Sequence, residues 1–72
     1  GLREGCDETV QRGNMMANKF SLFHFRNGQL RAVDSVNRPI DYIQARKLLA
    51  AGISPSPEEV ADENFDLKNF TV

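Results

Sequence analysis

The chain reads as a small α+β domain: an antiparallel sheet built around one hairpin, with a main helix packed against it and a shorter helix after it. Three observations predict this. Two β-prone runs flank Asn27-Gly28, a proline opens an amphipathic run at Pro39, and a Ser-Pro-Glu-Glu start stands at Ser56.

The hairpin is expected over about residues 19–36. Lys19 to Arg26 forms one arm and Gln29 to Val36 the other. Asn-Gly supplies two residues that tolerate positive φ, as a type I′ turn requires. A two-residue loop sets Arg26 opposite Gln29, Phe25 opposite Leu30, Phe23 opposite Ala32 and Leu22 opposite Val33. Side chains alternate across a sheet. Phe23, Phe25, Leu30 and Ala32 are therefore expected on a core face. Phe20, Leu22 and Val33, with His24, Arg26, Gln29 and Arg31, are expected on a face that is half wet or is covered by something outside this segment. Glu8 to Arg12 is a shorter β-prone stretch able to join the sheet.

The main helix is expected over about residues 39–51. Proline suits a first turn, where its missing N–H would be unpaired anyway. Asn37 or Arg38 takes the cap, and Asn37 has the better capping chemistry. Asp41 suits the positive end of the dipole, and Gly52 suits the left-handed exit. At 3.6 residues per turn, Tyr42, Ile43, Ala45, Leu49 and Ala50 make an apolar stripe, with Asp41, Gln44 and Lys47 opposite. Arg46 falls within the apolar arc and is expected to snorkel to its edge. Ser56-Pro57-Glu58-Glu59 resembles a capping box and predicts a short helix over about residues 57–62. In the tail, Phe65, Leu67 and Phe70 are expected to tack the chain onto the body.

With 72 residues the chain is read as a single domain, 1–72. So short a domain buries only about 60% of the surface of its unfolded chain. The net charge of −1 gives no global pull towards nucleic acid or acidic lipid. No apolar run approaches the roughly 20 residues of a membrane span, and no signal or transit peptide pattern stands out. Cys6 is the only cysteine, so neither an intrachain disulfide nor a multi-thiolate metal site is available. Gly1 in place of an initiator methionine fits a segment taken from inside a longer protein.

Chemistry is sparse. There is no Gly-x-Gly-x-x-Gly turn and no Walker motif. His24, the only histidine, sits mid-strand between two phenylalanines and reads as structural or as part of a partner surface. One histidine does not build a catalytic metal site. Asp34, Asp41, Glu58, Glu59, Asp62 and Glu63 read as caps and solvated charges rather than a catalytic pair. Phe20, Phe23 and Phe25 beside Arg26 and Arg31 faintly suggest a nucleic-acid platform, but the core claims at least two of these rings. From the residues alone the chain is a small module without a catalytic constellation.

One resemblance adds to this. Phe20-Ser-Leu-Phe-His-Phe-Arg-Asn-Gly-Gln-Leu30, then Ala32-Val-Asp-Ser-Val-Asn-Arg-Pro39, then Asp41-Tyr-Ile-Gln-Ala-Arg-Lys-Leu-Leu-Ala-Ala-Gly52 resemble the C-terminal domain of FAD-dependent ferredoxin and rubredoxin reductases, within the pyridine nucleotide–disulfide oxidoreductase superfamily. Gly1-Leu-Arg-Glu-Gly-Cys-Asp7, Val10-Gln-Arg-Gly13 and Asp66-Leu-Lys-Asn-Phe70 are similar to the same domain. The resemblance implies a parent oxidoreductase, a flavoprotein that passes electrons from NAD(P)H through FAD to a [2Fe–2S] ferredoxin or rubredoxin in the cytoplasm. It implies no catalytic, cofactor-binding or metal-binding residue here, because the residues nearest the flavin lie upstream of Gly1. There the family has a further strand, so an edge of the sheet is expected to be open. The domain is expected to pack on the FAD and NAD domains of its own chain and to help form the ferredoxin-docking side, with Arg38, Arg46 and Lys47 as partner contacts. No nucleic-acid or membrane partner is implied. The alternative is a free-standing, non-catalytic interaction module.

Overall fold

A computed structural model describes residues 5–67. Its elements are β1 (Glu8–Asn14), a 3-10 turn (Met15–Ala17), β2 (Lys19–Arg26), β3 (Gln29–Val36), α1 (Pro39–Ala51) and α2 (Pro57–Ala61). The strands form one antiparallel sheet in the order β1-β2-β3. α1 lies chiefly over β3 and α2 over β1. The core fills the space between: Phe23, Phe25, Leu30 and Val33 from the hairpin, Ala45 and Leu48 from α1, and Val60 and Leu67 beyond, with Val10 and Phe65 packed against them. The expected α+β arrangement is thus present, and β1 runs two residues further than its β-prone stretch. Phe70 lies outside the described residues.

The hairpin register departs from the expectation after one step. Arg26 pairs with Gln29 and Phe25 with Leu30, but His24 then pairs with Ala32, Phe23 with Val33 and Leu22 with Asp34. Arg31 is the extra residue of a β-bulge. The cause is visible in the chemistry of β3. Strict alternation would send Asp34 into the core face and Val33 out of it. One inserted residue lets Leu30 and Val33 both point at the phenylalanines and moves Asp34 to the other side. Ala32 consequently leaves the face predicted for it and lies beside His24.

α1 is also turned from its predicted setting. Its buried residues are Asp41, Ala45 and Leu48, while Ile40, Tyr42 and Ile43 are exposed. The i, i+4, i+7 spacing is that of a packed face, but the face begins with a carboxylate. Asp41 is drawn inward by Arg12, which lies opposite Ser21 on the core side of the sheet. Ala45 then lets the helix approach closely, and the bulkier apolar residues swing outward.

The helix ends follow local chemistry. Arg38 occupies the N-cap with no side-chain capping bond. Asn37 instead takes a left-handed conformation, and its Nδ2 donates to the Asn18 carbonyl at 2.8 Å. Gly52 closes α1 with φ of 70°, its N–H shared between the Leu48 and Leu49 carbonyls. The capping box is present at α2: Ser56 Oγ accepts from the Glu59 N–H at 3.1 Å, and Glu59 Oε1 accepts from the Ser56 N–H at 2.9 Å.

Two glycines give a test of this backbone. Gly13 has φ of 103°, and a methyl group there would meet Arg38 Nη1 and the Lys19 carbonyl at 2.5 Å. Gly28 has φ of 79° with open space around it. Gly28→Ala should cost about 1 kcal/mol, the conformational term alone. Gly13→Ala should cost about 2 kcal/mol more, because rigid backbone has to move. Urea unfolding of the two variants checks the order, and equal losses would contradict the close approach at Gly13.

Candidate functional site

The most developed polar cluster is built on Arg12. Its place in β1, next but one to Val10, aims the side chain into the core layer, where it is 4% exposed. Nη1 donates to the Val60 carbonyl at 3.0 Å and the Asp62 carbonyl at 2.7 Å, and Nη2 donates to the Phe65 carbonyl. Nε makes no hydrogen bond but lies 3.7 Å from Asp41 Oδ1. Asp41 is gripped from the other side by Arg38 Nε at 2.7 Å and accepts from Ser21 Oγ at 3.2 Å. Ser35 Oγ stands 2.8 Å from Ser21 Oγ and completes the chain as donor. Arg38 Nη1 reaches Glu63 Oε1 at 3.4 Å. Charges thus alternate from β1 through α1 to the segment after α2. Buried and faced by two guanidiniums and a hydroxyl, the Asp41 carboxylate is placed to bind elements together.

A second cluster crosses the opposite face of the sheet. His24 Nδ1 lies 2.9 Å from Thr9 Oγ1, and Nε2 lies 3.0 Å from Asp34 Oδ2. A carboxylate only accepts, so Nε2 carries a hydrogen and donates to Asp34; in the neutral imidazole Nδ1 then accepts from Thr9. His24 is buried while Asp34 remains exposed. The connectivity is that of a hydroxyl–imidazole–carboxylate relay, but a relay needs a cleft for substrate. The two surface clefts described have other linings. One, of about 440 Å³, is bounded by Ser35, Asn37, Arg38, Pro39 and Tyr42. The other, of about 150 Å³, runs from Gln29 to Arg31 and from Gly52 to Ser54. Thr9 and Asp34 had no signal in the sequence as partners of His24. The bulge at Arg31 is what sends Asp34 to that side.

The residues expected as partner contacts divide. Arg38 is half-buried and committed to Asp41 and Glu63. Arg46 and Lys47 are exposed on α1. Arg46 sits over the Tyr42 ring, 5.8 Å from its centroid, and Nη1 donates to the Tyr42 hydroxyl at 3.2 Å. Cys6 is a half-buried free thiol. Among the described residues no three His, Cys, Asp or Glu side chains stand close enough to hold a metal ion. No helix there is long and apolar enough to cross a membrane.

The Arg12–Asp41 pair makes a direct prediction. Breaking a buried ion pair from one side costs about 3–5 kcal/mol, because the other charge stays buried. Arg12→Met and Asp41→Leu should each bring so small a domain to the edge of unfolding. The double variant should lose at least about 1 kcal/mol less than the sum of the two. A double-mutant cycle by urea unfolding measures this, and strictly additive losses would remove Asp41 as the partner of Arg12.

Comparison with known proteins places this fold. The profile of the family described as reductase C-terminal matches residues 1–71. Rhodocoxin reductase of Rhodococcus erythropolis is 46% identical over 68 residues, which are 94% of this chain and 16% of that protein. Putidaredoxin reductase of Pseudomonas putida is 34% identical over 70 residues, 97% of this chain and 17% of that protein. Among solved structures, the ferredoxin reductase of the CYP199A2 system from Rhodopseudomonas palustris superposes with a TM-score of 0.95 at 40% identity, over 100% of this chain and 18% of that one. The covalent putidaredoxin reductase–putidaredoxin complex gives 0.88 at 33% identity, over 96% of this chain and 16% of that one. The chain therefore spans about a sixth of the relatives it matches. With nearly every residue covered by the profile and by these relatives, the chain belongs to the reductase C-terminal family.

Proposed function

We propose that this chain is the C-terminal domain of a flavoprotein NAD(P)H:ferredoxin reductase that acts in the cytoplasm. The observation that carries the reading is the superposition, at a TM-score of 0.95 over its whole length, on part of a ferredoxin reductase. The parent polypeptide takes a hydride from NAD(P)H onto FAD and hands single electrons to a [2Fe–2S] ferredoxin or rubredoxin, the flavin supplying the change from two-electron to one-electron chemistry.

The sequence holds no Gly-x-Gly-x-x-Gly turn of the kind that cradles a pyrophosphate on free backbone N–H groups, and Arg12 and Arg38 are spent on carbonyls and carboxylates. This supports assigning FAD and NAD(P)H to the remainder of the polypeptide. This domain contributes a rigid body that packs on the FAD-carrying part and forms part of the docking side. Arg38 acts there through its ion pairs, which fix the start of α1. Arg46 and Lys47, exposed on that helix, supply positive charge to an acidic ferredoxin and speed encounter.

Steady-state kinetics on the full-length polypeptide test this. With Arg46→Glu and Lys47→Glu combined, KM for the ferredoxin should rise about tenfold at low ionic strength, and the difference should shrink as salt screens the charges. Turnover with a small inorganic one-electron acceptor should stay unchanged. An unaltered KM at low salt would remove these residues from the docking side. A full-length polypeptide with no NAD(P)H-dependent flavin reduction would overturn the reductase reading itself.

A further inference from the structure

The hairpin tip combines a reactive dipeptide with an open surface. Asn27-Gly28 is the only asparagine–glycine pair in the chain. Both residues are exposed, and both have positive φ, 51° and 79°, as a type I′ turn requires. Gly28 presents no side chain, and nothing lies within 4 Å of the place a Cβ would take. The flank of its backbone nitrogen is therefore clear. Among the described residues the Asn27 side-chain amide has no hydrogen-bond partner, while the Asn27 N–H donates to Asp7 Oδ2 at 3.2 Å. The other described asparagines, Asn14, Asn18, Asn37 and Asn64, each precede a larger residue: Met15, Lys19, Arg38 and Phe65. Two of them also have their side chains held. Asn14 Oδ1 accepts from the Met16 N–H at 2.9 Å, and Asn37 Nδ2 donates to the Asn18 carbonyl.

An asparagine side chain carries an amide that the following backbone nitrogen displaces, which makes the residue thermolabile. We propose that Asn27 is a site of spontaneous modification, converted with water as the only co-reactant to aspartate and isoaspartate at the hairpin tip. The inference is independent of the reading given under Proposed function. The Gly28 nitrogen gives its proton to hydroxide and attacks Asn27 Cγ. A new C–N bond forms, the Cγ–Nδ2 bond breaks, and Nδ2 takes a proton from water and leaves as ammonia. The cyclic imide then takes up water. Opening at Cγ restores the normal backbone with an aspartate side chain. Opening at the α-carbonyl routes the backbone through the side chain as isoaspartate. No oxidant or reductant enters the balance. Ring closure needs a rotation about the Asn27 Cα–C bond out of the turn conformation, so the step waits on local opening of the tip. Either product places a carboxylate close to Asp7, whose Oδ2 faces the Asn27 N–H. Isoaspartate also lengthens the backbone of a two-residue loop, and that loop sets Arg26 opposite Gln29 and Phe25 opposite Leu30.

Peptide mapping by mass spectrometry of the full-length polypeptide, held folded at neutral and mildly alkaline pH, tests this. Conversion at Asn27 should run at least about tenfold faster than at Asn14, Asn18, Asn37 or Asn64. Its rate should rise about tenfold per pH unit, as the deprotonated backbone amide becomes more abundant. Aspartate and isoaspartate peptides should both appear and separate by chromatography. Asn27→Gly leaves a Gly-Gly pair that suits the same turn and should abolish the conversion. Amide hydrogen exchange of the peptide covering β2 and β3 should quicken as the native sequence ages and stay constant in this variant. Conversion at Asn27 no faster than at the other asparagines in the folded protein would overturn the proposal. So would conversion seen only in denaturant, because the fold would then lock the turn. Aspartate as the sole product would also overturn it, because opening of the imide yields both acids.

Discussion

The structure depends on one buried cation. Arg12 enters the layer between sheet and helices and meets three backbone carbonyls and a carboxylate. An unpaired guanidinium in that position would cost several kcal/mol in lost hydration, comparable to the whole stability expected of a chain this short. Every element near it is arranged to meet that demand. α2 and the turn after it present the carbonyls of Val60, Asp62 and Phe65. α1 rotates until Asp41 faces inward. Arg38 follows Asp41 and reaches on to Glu63. The hydrophobic core and this polar chain lie side by side, and the polar chain sets the orientation of the helices over the strands.

The bulge at Arg31 makes a similar bargain within the sheet. β3 has apolar residues at Leu30 and Val33, three apart, which strict alternation cannot place on one side. Inserting one residue reconciles them, keeps Asp34 out of the core, and delivers it to His24. The imidazole is thereby buried with both nitrogens bonded. Across the two sheet faces, Arg12, Asp41 and His24 are all buried and held by several partners. Arg12 and Asp41 face each other and the carbonyls and cation around them, which ties the sheet to both helices.

The same economy explains the outer surface. Turning α1 to bring Asp41 and Ala45 inward displaces Ile40, Tyr42 and Ile43 outward. The exposure of these three side chains is thus a consequence of the polar interior: satisfying Arg12 turns the bulkier face of α1 outward.

Local chemistry was legible in the sequence. Asn27-Gly28 specified the hairpin because few other pairs tolerate its turn, Pro39 and Gly52 bounded α1, and Ser56 with Glu59 wrote the start of α2. Patterns of neighbouring residues carried these features, so no distant contact was needed to see them. The site was not legible. Arg12 looked like an ordinary charge in a β-prone stretch, and the one hint was its place two residues from Val10 on the same strand face. Asp41 looked like a dipole-matched residue on a solvated face, and Thr9 and Asp34 had no visible tie to His24. Those pairings depend on the bulge and on the rotation of α1 about its axis. Both were decided only when strands and helices met, because an inserted residue and a helix rotation cost little locally and are chosen by what they bury together.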